Sequence, residues 1–174
     1  QNTVIQAPES IVAHDSTSMQ SQIETLQKQT SVYKKKLAEQ LIMSQTDPLT
    51  RLPNRQAYNE KLSKAVQSWQ DNGDDLAVAV IDIDHFKRIN DTWGHTRGDL
   101  ILTKIAEVCE QSLRPTDVIG RFGGEEFVVG LPHTSPSEAQ TIAERLKENV
   151  EALPLTAELS ELCLSVTIGI AAAH

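Results

Sequence analysis

Residues 118–132, VIGRFGGEEFVVGLP, are the feature that most restricts the fold of this chain. Two short apolar runs flank Gly123 and Gly124, and a glycine pair tolerates the positive φ that tight hairpin turns require. The pattern therefore predicts a β-hairpin whose two antiparallel strands meet at the glycines. Glu125 and Glu126 follow at once, which places two adjacent carboxylates at the tip of an otherwise apolar hairpin.

The segments around the hairpin predict an α+β domain. LAVAVIDID (76–84) is apolar and β-branched, which predicts a buried strand ending in two acids, and LSVTIGIAAA (164–173) predicts a second buried strand. Helices are predicted at about 55–71, in HFKRIND (85–91), at about 97–113 and at about 136–151. From the first strand the order is β-α-β-β-α-β, the ferredoxin-like arrangement, with an antiparallel sheet and helices on one face.

Acidic residues end one predicted strand and begin another. In the ferredoxin-like topology the first strand and the hairpin can be neighbours, so Asp82 and Glu125 are expected to converge. Close carboxylates repel and raise a pKa unless a cation lies between them, and Mg²⁺ prefers such oxygen ligands together with the phosphates of a nucleotide. The alternative is a solvated hairpin tip whose acids point into water.

The N-terminal part of the chain has a different pattern. Residues 1–15 contain Pro8 and no periodicity, and are expected to form a disordered leader. From Ser16 to about Gln45, apolar positions recur in steps of four and three, which predicts a coiled-coil signalling helix. Its seam comprises Met19, Ile23, Leu26, Thr30, Tyr33 and Leu37. A globular domain is expected to occupy residues 46–174. The alternative to a coiled coil is a single amphipathic helix that packs on this domain.

Charge, cysteines and hydropathy exclude several classes of protein. Residues 47–174 carry twenty acidic and twelve basic side chains, so nucleic acid is not an expected partner. Cys109 and Cys163 lack metal-ligand spacing, and both are expected to be buried free thiols in a reducing compartment. No apolar run of about 18 residues and no signal peptide are visible. A cytoplasmic location is expected, and the parent protein could carry a membrane anchor or a sensor domain upstream.

Three separated motifs resemble the GGDEF family of diguanylate cyclases. They are DPLTRLPNR (47–55), DIDHFKRINDTWGHTRGD (82–99) and RFGGEEF (121–127), a Gly-Gly-Glu-Glu-Phe variant of the family signature. The resemblance covers about Thr46 to the end, and implies a palm-like domain similar to nucleotidyl cyclases and polymerases. It also implies the condensation of two GTP to cyclic di-GMP in a homodimer.

The resemblance implies a role for each matching residue. Asp82, Glu125 and the Ile83 carbonyl would ligate two Mg²⁺ ions, with Mn²⁺ as an alternative, and Glu126 would lie near the attacking 3′-hydroxyl. Asn90 and Asp99 would bind the guanine edge, Lys87 would meet the triphosphate, and Gly123 and Gly124 would admit the α-phosphate. Taken alone, Asn90 could cap a turn, Asp99 could be a first-turn helix acid and Lys87 a surface charge. Asp84 is interpreted as structural.

RPTD (114–117) is similar to the inhibitory Arg-x-x-Asp motif of the family, and Arg145 matches a second arginine that joins it. A product with two guanines and two phosphates suits these groups, because an arginine fork grips phosphate or guanine and Asp117 could accept from guanine N–H groups. The alternative is a turn in which Arg114 ends a helix and Asp117 is an ordinary turn acid.

Two features depart from the family pattern. Arg51 stands where the opening motif usually has glycine, which puts the local turn in question. The family also continues beyond the last strand into a helix with basic residues, so the catalytic domain is expected to extend past His174. Rival interpretations are a domain that only binds nucleotide, a mononucleotide cyclase, and a coiled-coil dimerisation module with an inert cap.

Overall fold

The computed structural model describes residues 7–155 and 159–173, and the side chains from residue 14 onward. The helices are α1 (Ala7–Gln45), α2 (Arg55–Asn72), α3 (Phe86–Trp93), α4 (His95–Ser112) and α5 (Pro136–Glu151). The strands are β1 (Leu76–Ile83), β2 (Val118–Arg121), β3 (Glu126–Pro132) and β4 (Val166–Ala173). The chain divides into two units, Gln1–Met43 and Ser44–His174.

The four strands form one antiparallel sheet in the order β2-β3-β1-β4. The connection from β1 to β2 passes through α3 and α4, and α5 connects β3 to β4. This is the split βαβ topology, so the ferredoxin-like prediction is confirmed. β1 lies centrally and pairs with both β3 and β4, which brings its acidic end next to the hairpin.

One face of the sheet carries the main core. Alternate residues of β1 and β3 point into it and are buried, together with apolar positions of α4 and α5. These residues include Ala79, Ile81, Phe127, Val129, Leu131, Ile101, Ile105 and Leu146. The alternating burial along the strands therefore meets the apolar stripes of two crossover helices.

The crossover helices lie on one face as expected, whereas helix α2, which precedes the first strand, covers part of the opposite face. Tyr58 and Leu62 of α2 pack with Leu76 and Val128 in a second apolar cluster. A Cβ atom at Gly130 would lie 2.4 Å from Leu62 Cδ1. The glycine thus leaves the space in which α2 approaches the hairpin, a tertiary role that periodicity does not reveal.

Strand β4 is an edge strand rather than the fully buried strand predicted. Val166 is buried, whereas Thr167, Gly169 and Ala171 on the other face are exposed. The preceding residues 162–165 are irregular, and Cys163 there is exposed, which corrects its predicted burial. Cys109 on α4 is buried as expected, and that burial raises the pKa of its thiol to about 12.

Helix α1 begins at Ala7, so the part of the expected leader from residue 7 to residue 15 is helical; residues 1–6 lie outside the described residues. Pro8 is compatible with this start because the first helical N–H groups have no intrahelical acceptor. All six seam positions are exposed, and the four aliphatic ones are Met19, Ile23, Leu26 and Leu37. None of the helices in the described part of the chain has the length and apolar character needed to cross a membrane.

The segment between α1 and α2 forms a tight turn around Asp47. Its carboxylate accepts hydrogen bonds from the Thr50 N–H and hydroxyl, both at 2.8 Å. The Arg51 N–H donates to the Asp47 carbonyl at 2.9 Å, and Arg51 has φ = 65°. This left-handed conformation favours glycine, which explains why a glycine suits the position that Arg51 occupies here.

Candidate active site

The acidic end of β1 faces the start of β3. Asp82 is the cross-strand partner of Glu126, and the Ile83 N–H donates to the Glu125 carbonyl at 3.3 Å. Asp82 is exposed, and both glutamates are half-buried. The structure therefore brings together all the acids predicted to converge, although the residue directly opposite Asp82 is Glu126 rather than Glu125.

The glycine turn next to these acids is open. Neither Gly123 nor Gly124 has the positive φ that the sequence suggested. The turn instead closes through Phe122, whose N–H donates to the Glu126 carbonyl at 2.9 Å, and in this longer loop neither glycine needs a positive φ. A Cβ at Gly124 would meet nothing within 4 Å. The backbone of the two glycines is thus exposed beside the carboxylates, so a ligand can approach it closely.

The electrostatics of this end of the sheet favour a cation. Partial burial raises the pKa of Glu125, and the charge of Asp82 raises it further. Among the described residues, no group of three or more His, Cys, Asp or Glu side chains could hold a metal ion alone. Two carboxylates that need additional oxygen ligands fit Mg²⁺, which typically takes one or two carboxylates and completes its shell with water and substrate phosphates.

Asp84 has a different environment from Asp82. Its carboxylate accepts hydrogen bonds from the Thr167 hydroxyl at 2.6 Å and the Ser165 hydroxyl at 2.8 Å, and these bonds lower its pKa. Asp84 therefore ties the end of β1 to β4, which agrees with its structural interpretation. His85 follows with φ = 55° and leads the chain into α3.

The predicted guanine contacts lie where α3 meets α4. Asn90 is half-buried on α3, and Asp99 is exposed in the first turns of α4. Gly98, which precedes Asp99, packs against the side chain of Asn90, because a Cβ built at Gly98 would lie 2.0 Å from Asn90 Oδ1. Lys87 is exposed on the first turn of α3, a few residues after the acidic end of β1.

Arg121 is a residue of this region that the sequence analysis did not single out. Its guanidinium donates to both carboxylate oxygens of Asp47, at 3.1 and 3.2 Å. The same group donates to the carbonyls of Gly123, at 3.2 Å, and Gly124, at 2.9 Å. Burial raises the pKa of Asp47, but hydrogen bonds from Thr50 and Arg121 outweigh burial and lower it. Only its place beside the glycine pair could have drawn attention to Arg121.

The expected inhibitory residues occupy two different cavities. Arg114 forms an ion pair with Asp117 at 2.8 Å and donates to the Thr134 hydroxyl at 2.6 Å. The Asp117 side chain is fully buried in this pair, so it holds Arg114 rather than facing a ligand. Arg145 is exposed and donates to the Ser112 carbonyl at 2.8 Å. Arg114 lines a cavity of about 400 Å³, and Arg145 lines one of about 500 Å³.

A ferredoxin-like antiparallel sheet with facing carboxylates at one end, beside a bare glycine turn, defines a palm-type domain of the nucleotidyl-cyclase class. The family model described as "Diguanylate cyclase, GGDEF domain" matches residues 44–174. The chain therefore belongs to the GGDEF family.

Similar proteins include named members of this family. The chain is 41% identical to the diguanylate cyclase DgcP of Pseudomonas aeruginosa over 154 residues, which cover 88% of this chain and 23% of DgcP. It is 39% identical to the response regulator PleD of Caulobacter vibrioides over 81% of this chain and 31% of PleD. The chain thus spans about a quarter to a third of the length of these relatives.

A solved structure extends the likeness to the N-terminal helix. The coiled coil and GGDEF domain of DgcB from Caulobacter crescentus, in complex with c-di-GMP, has a TM-score of 0.83 and 28% sequence identity. The match covers 90% of this chain and 84% of that one. The GGDEF domain of DgcB alone, also with c-di-GMP, is 34% identical with a TM-score of 0.68 over 75% of this chain and 78% of that one.

Proposed function

We propose that this chain is a diguanylate cyclase, which condenses two GTP into cyclic di-GMP and releases two pyrophosphates. The observation that carries the proposal is the register of β1 against β3. It sets Asp82 opposite Glu126, with Glu125 and the glycine turn alongside. Such a cluster of acids next to accessible backbone suits a nucleotide triphosphate with divalent cations, and the family membership supports the same substrate.

The residues around the acids would hold one GTP. Asn90 and Asp99 would bind the guanine edge, because a carboxylate can accept from the N1–H and amino group of that base. Lys87 would contact the triphosphate, and the open backbone at Gly123 and Gly124 would admit the α-phosphate. Asp82, Glu125 and the Ile83 carbonyl would hold two Mg²⁺.

The reaction is an in-line displacement at phosphorus. The 3′-oxygen of each GTP forms a bond to the α-phosphorus of the other, the bond from that phosphorus to the β-bridging oxygen breaks, and pyrophosphate leaves. Each 3′-hydroxyl loses a proton. Bound divalent ions would lower the pKa of the 3′-hydroxyl and stabilise the phosphoryl charge. Glu126 would lie beside that hydroxyl, and the glycine turn would orient the α-phosphate.

Two copies of the chain would be required, since one domain would hold one GTP and the product contains two guanosine units. Helix α1 offers a means of pairing, because its seam is exposed over residues 19–37 and repeats in steps of four and three. A parallel coiled coil would raise the effective concentration of the attached domains to about the millimolar range. The likeness to the coiled coil and GGDEF domain of DgcB supports this role.

Product would bind at Arg114 and Arg145 and inhibit the enzyme. Asp117 would hold the Arg114 side chain in place rather than contact the product, since its carboxylate is buried against that guanidinium. The guanidinium of Arg114 is partly exposed, at 38% for the side chain, and Arg145 is exposed on α5. Both present planar forks that suit phosphate and the guanine Hoogsteen edge.

Product analysis tests the proposal. The chain, extended past His174 through the helix that the family pattern places there, is incubated with GTP and Mg²⁺, and the nucleotides are separated by chromatography and identified by mass. Cyclic di-GMP with two pyrophosphates per product is expected, and Glu125→Gln should abolish it. Formation of 3′,5′-cyclic GMP, or binding of GTP without turnover, would overturn the proposal.

A further inference from the structure

Gly98 lies in α4 where a larger residue would collide with α3. It is the fourth residue of the helix and is buried. A Cβ there would lie 2.0 Å from Asn90 Oδ1, 3.1 Å from Asn90 Cγ and 3.4 Å from Phe86 Cζ. Its φ lies outside the left-handed range, so the backbone itself does not require glycine. The glycine therefore serves to leave space for the Asn90 side chain.

Asn90 is held by packing rather than by hydrogen bonds. Its backbone carbonyl accepts from the Gly94 N–H at 2.9 Å. Within residues 7–155 and 159–173, no hydrogen bond is formed by its side-chain amide. Asn90 is half-buried with its amide against Gly98, the residue that precedes Asp99 in the chain, and the amide keeps its full hydrogen-bonding capacity for a ligand.

We propose that Gly98 is a positioning residue for base recognition: the absent Cβ fixes the side chain of Asn90 where it and Asp99 read the guanine edge together. The inference rests on the proposed function, because it concerns how the same nucleotide is selected. Asn90 has two side-chain torsions and no internal hydrogen bond to restrain them. Packing against Gly98 supplies the restraint.

A methyl group at Gly98 should displace the amide while the fold persists. The atom it would meet first is the far end of a side chain that can rotate, and alanine is a better helix former than glycine. Gly98→Ala should therefore melt at the same temperature as the wild type or higher. Recognition of guanine should weaken, because the amide would be displaced from its position against Gly98.

The experiment measures affinity for three nucleotides with Mg²⁺ by calorimetry, using the full chain. GTP is compared with ITP, which lacks the exocyclic amino group, and with ATP. Gly98→Ala should bind GTP roughly tenfold more weakly, as expected for the loss of one or two neutral hydrogen bonds, and should lose its preference for GTP over ITP. Gly169→Ala is the matched control, because a Cβ there meets nothing within 4 Å.

A double-mutant cycle separates positioning from general damage. If Gly98 acts through Asn90, Asn90→Ala and Asn90→Ala/Gly98→Ala should bind GTP equally. A Gly98→Ala chain that keeps the GTP-over-ITP ratio of the wild type would overturn the inference and leave the proposed function intact. A wild-type chain that binds ATP as well as GTP would overturn both.

Discussion

The guanidinium of Arg121 lies 3.1 Å from the carboxylate of Asp47, and this ion pair connects the turn after α1 to the hairpin. Both side chains are largely buried, at 15% and 16% exposure. The same guanidinium donates to the carbonyls of Gly123 and Gly124. One side chain therefore fixes the glycine turn of the candidate active site to the segment that follows α1.

Replacing Arg121 should destabilise the domain and disturb the glycine turn. Arg121→Ala removes an ion pair and two further hydrogen bonds, and should lower the free energy of unfolding by about 2–3 kcal/mol. Arg121→Lys should recover part of this loss, because lysine keeps the charge but not the planar fork. Urea unfolding measures both variants.

Lys147→Ala provides the control for Arg121, since its ion pair with Glu151 is exposed and 4.0 Å long. A change within about 0.5 kcal/mol is expected there. Equal effects of Arg121→Ala and Lys147→Ala would contradict the anchoring role of Arg121.

Much of the fold was predictable because it depends on local periodicity. The apolar, β-branched run 76–84 identified β1, and the helix predicted at about 136–151 agrees with α5, in both cases with bounds within a few residues. The convergence of Asp82 and Glu125 was expected, but the register that sets Asp82 opposite Glu126 was not predictable to one residue. Register depends on how the Phe122–Glu126 loop closes, which is a tertiary property.

The parts of the site that could not be predicted depend on absent atoms or distant partners. The space at Gly98 is visible only when α3 lies against α4, and the bond between Arg121 and Asp47 joins residues 74 positions apart. The packing of α2 on the second face likewise needs Gly130 to lie beneath Leu62. The sequence shows where these glycines and charged residues are, but it does not show which side chains they contact in the folded domain.

Glu125→Gln should abolish turnover and yet stabilise the protein when no divalent ion is present. Burial and the charge of Asp82 raise the pKa of Glu125, so the folded state favours the protonated form. The stability that protonation of Glu125 contributes is fully present below the pKa of this carboxyl in the unfolded chain, near 4.5. It is lost as the pH rises through the higher pKa of Glu125 in the folded state. At pH 7 the variant should melt slightly higher than the wild type, and near pH 4 the two should coincide.

Activity of Glu125→Gln should fall by about 10²-fold or more, since a charge of the proposed metal site is lost. Melting curves without divalent ions from pH 4 to 8 and product assays with Mg²⁺ measure the two effects. Glu107→Gln, an exposed carboxylate of α4, is the control and should change neither. A Glu125→Gln enzyme with near-normal turnover would refute the metal assignment.

Arg51→Gly should stabilise the turn before α2. Arg51 has φ = 65°, a conformation that costs a non-glycine residue about 1–2 kcal/mol. Part of this gain is offset by the greater freedom of glycine in the unfolded chain, so a net increase of about 0.5–1 kcal/mol is expected in urea unfolding. Lys64→Gly, exposed within α2, should instead lose about 1 kcal/mol. Destabilisation by both substitutions would show that Arg51 contributes contacts that outweigh its backbone strain.

Removing residues 1–43 should make specific activity depend on protein concentration. The deletion stops at Met43 because the carbonyls of Ser44 and Gln45 accept hydrogen bonds from Asn54, at 2.5 and 2.9 Å. Without α1, two domains must meet by diffusion, so activity per molecule should fall steeply on dilution. In the full chain, Leu26→Lys on the seam should reproduce the effect, and Lys28→Gln outside the seam should not. If the specific activity of the truncated chain does not change on dilution, α1 does not serve to hold two domains together.

Arg114→Ala should retain catalysis at low product and lose product inhibition. The substitution leaves the buried carboxylate of Asp117 with the residue 114 N–H, at 2.8 Å, as a remaining donor. A loss of about 1–3 kcal/mol in stability is therefore expected, and initial rates must be compared well below the melting temperature. Final yields of cyclic di-GMP should rise, and calorimetry should show weaker binding of the product.

Arg145→Ala separates inhibition from stability. Arg145 is exposed and its bond to the Ser112 carbonyl lies at the surface, so its removal should cost little stability. If the two arginines bind one product molecule together, Arg145→Ala should weaken product binding by a factor comparable to Arg114→Ala while the fold keeps its melting temperature. The two arginines line different cavities. Two product molecules bound side by side across both cavities would therefore also make the two substitutions weaken product binding by comparable factors. Unchanged product affinity in both variants, with progress curves that stall at the wild-type concentration of cyclic di-GMP, would show that this surface does not regulate the enzyme.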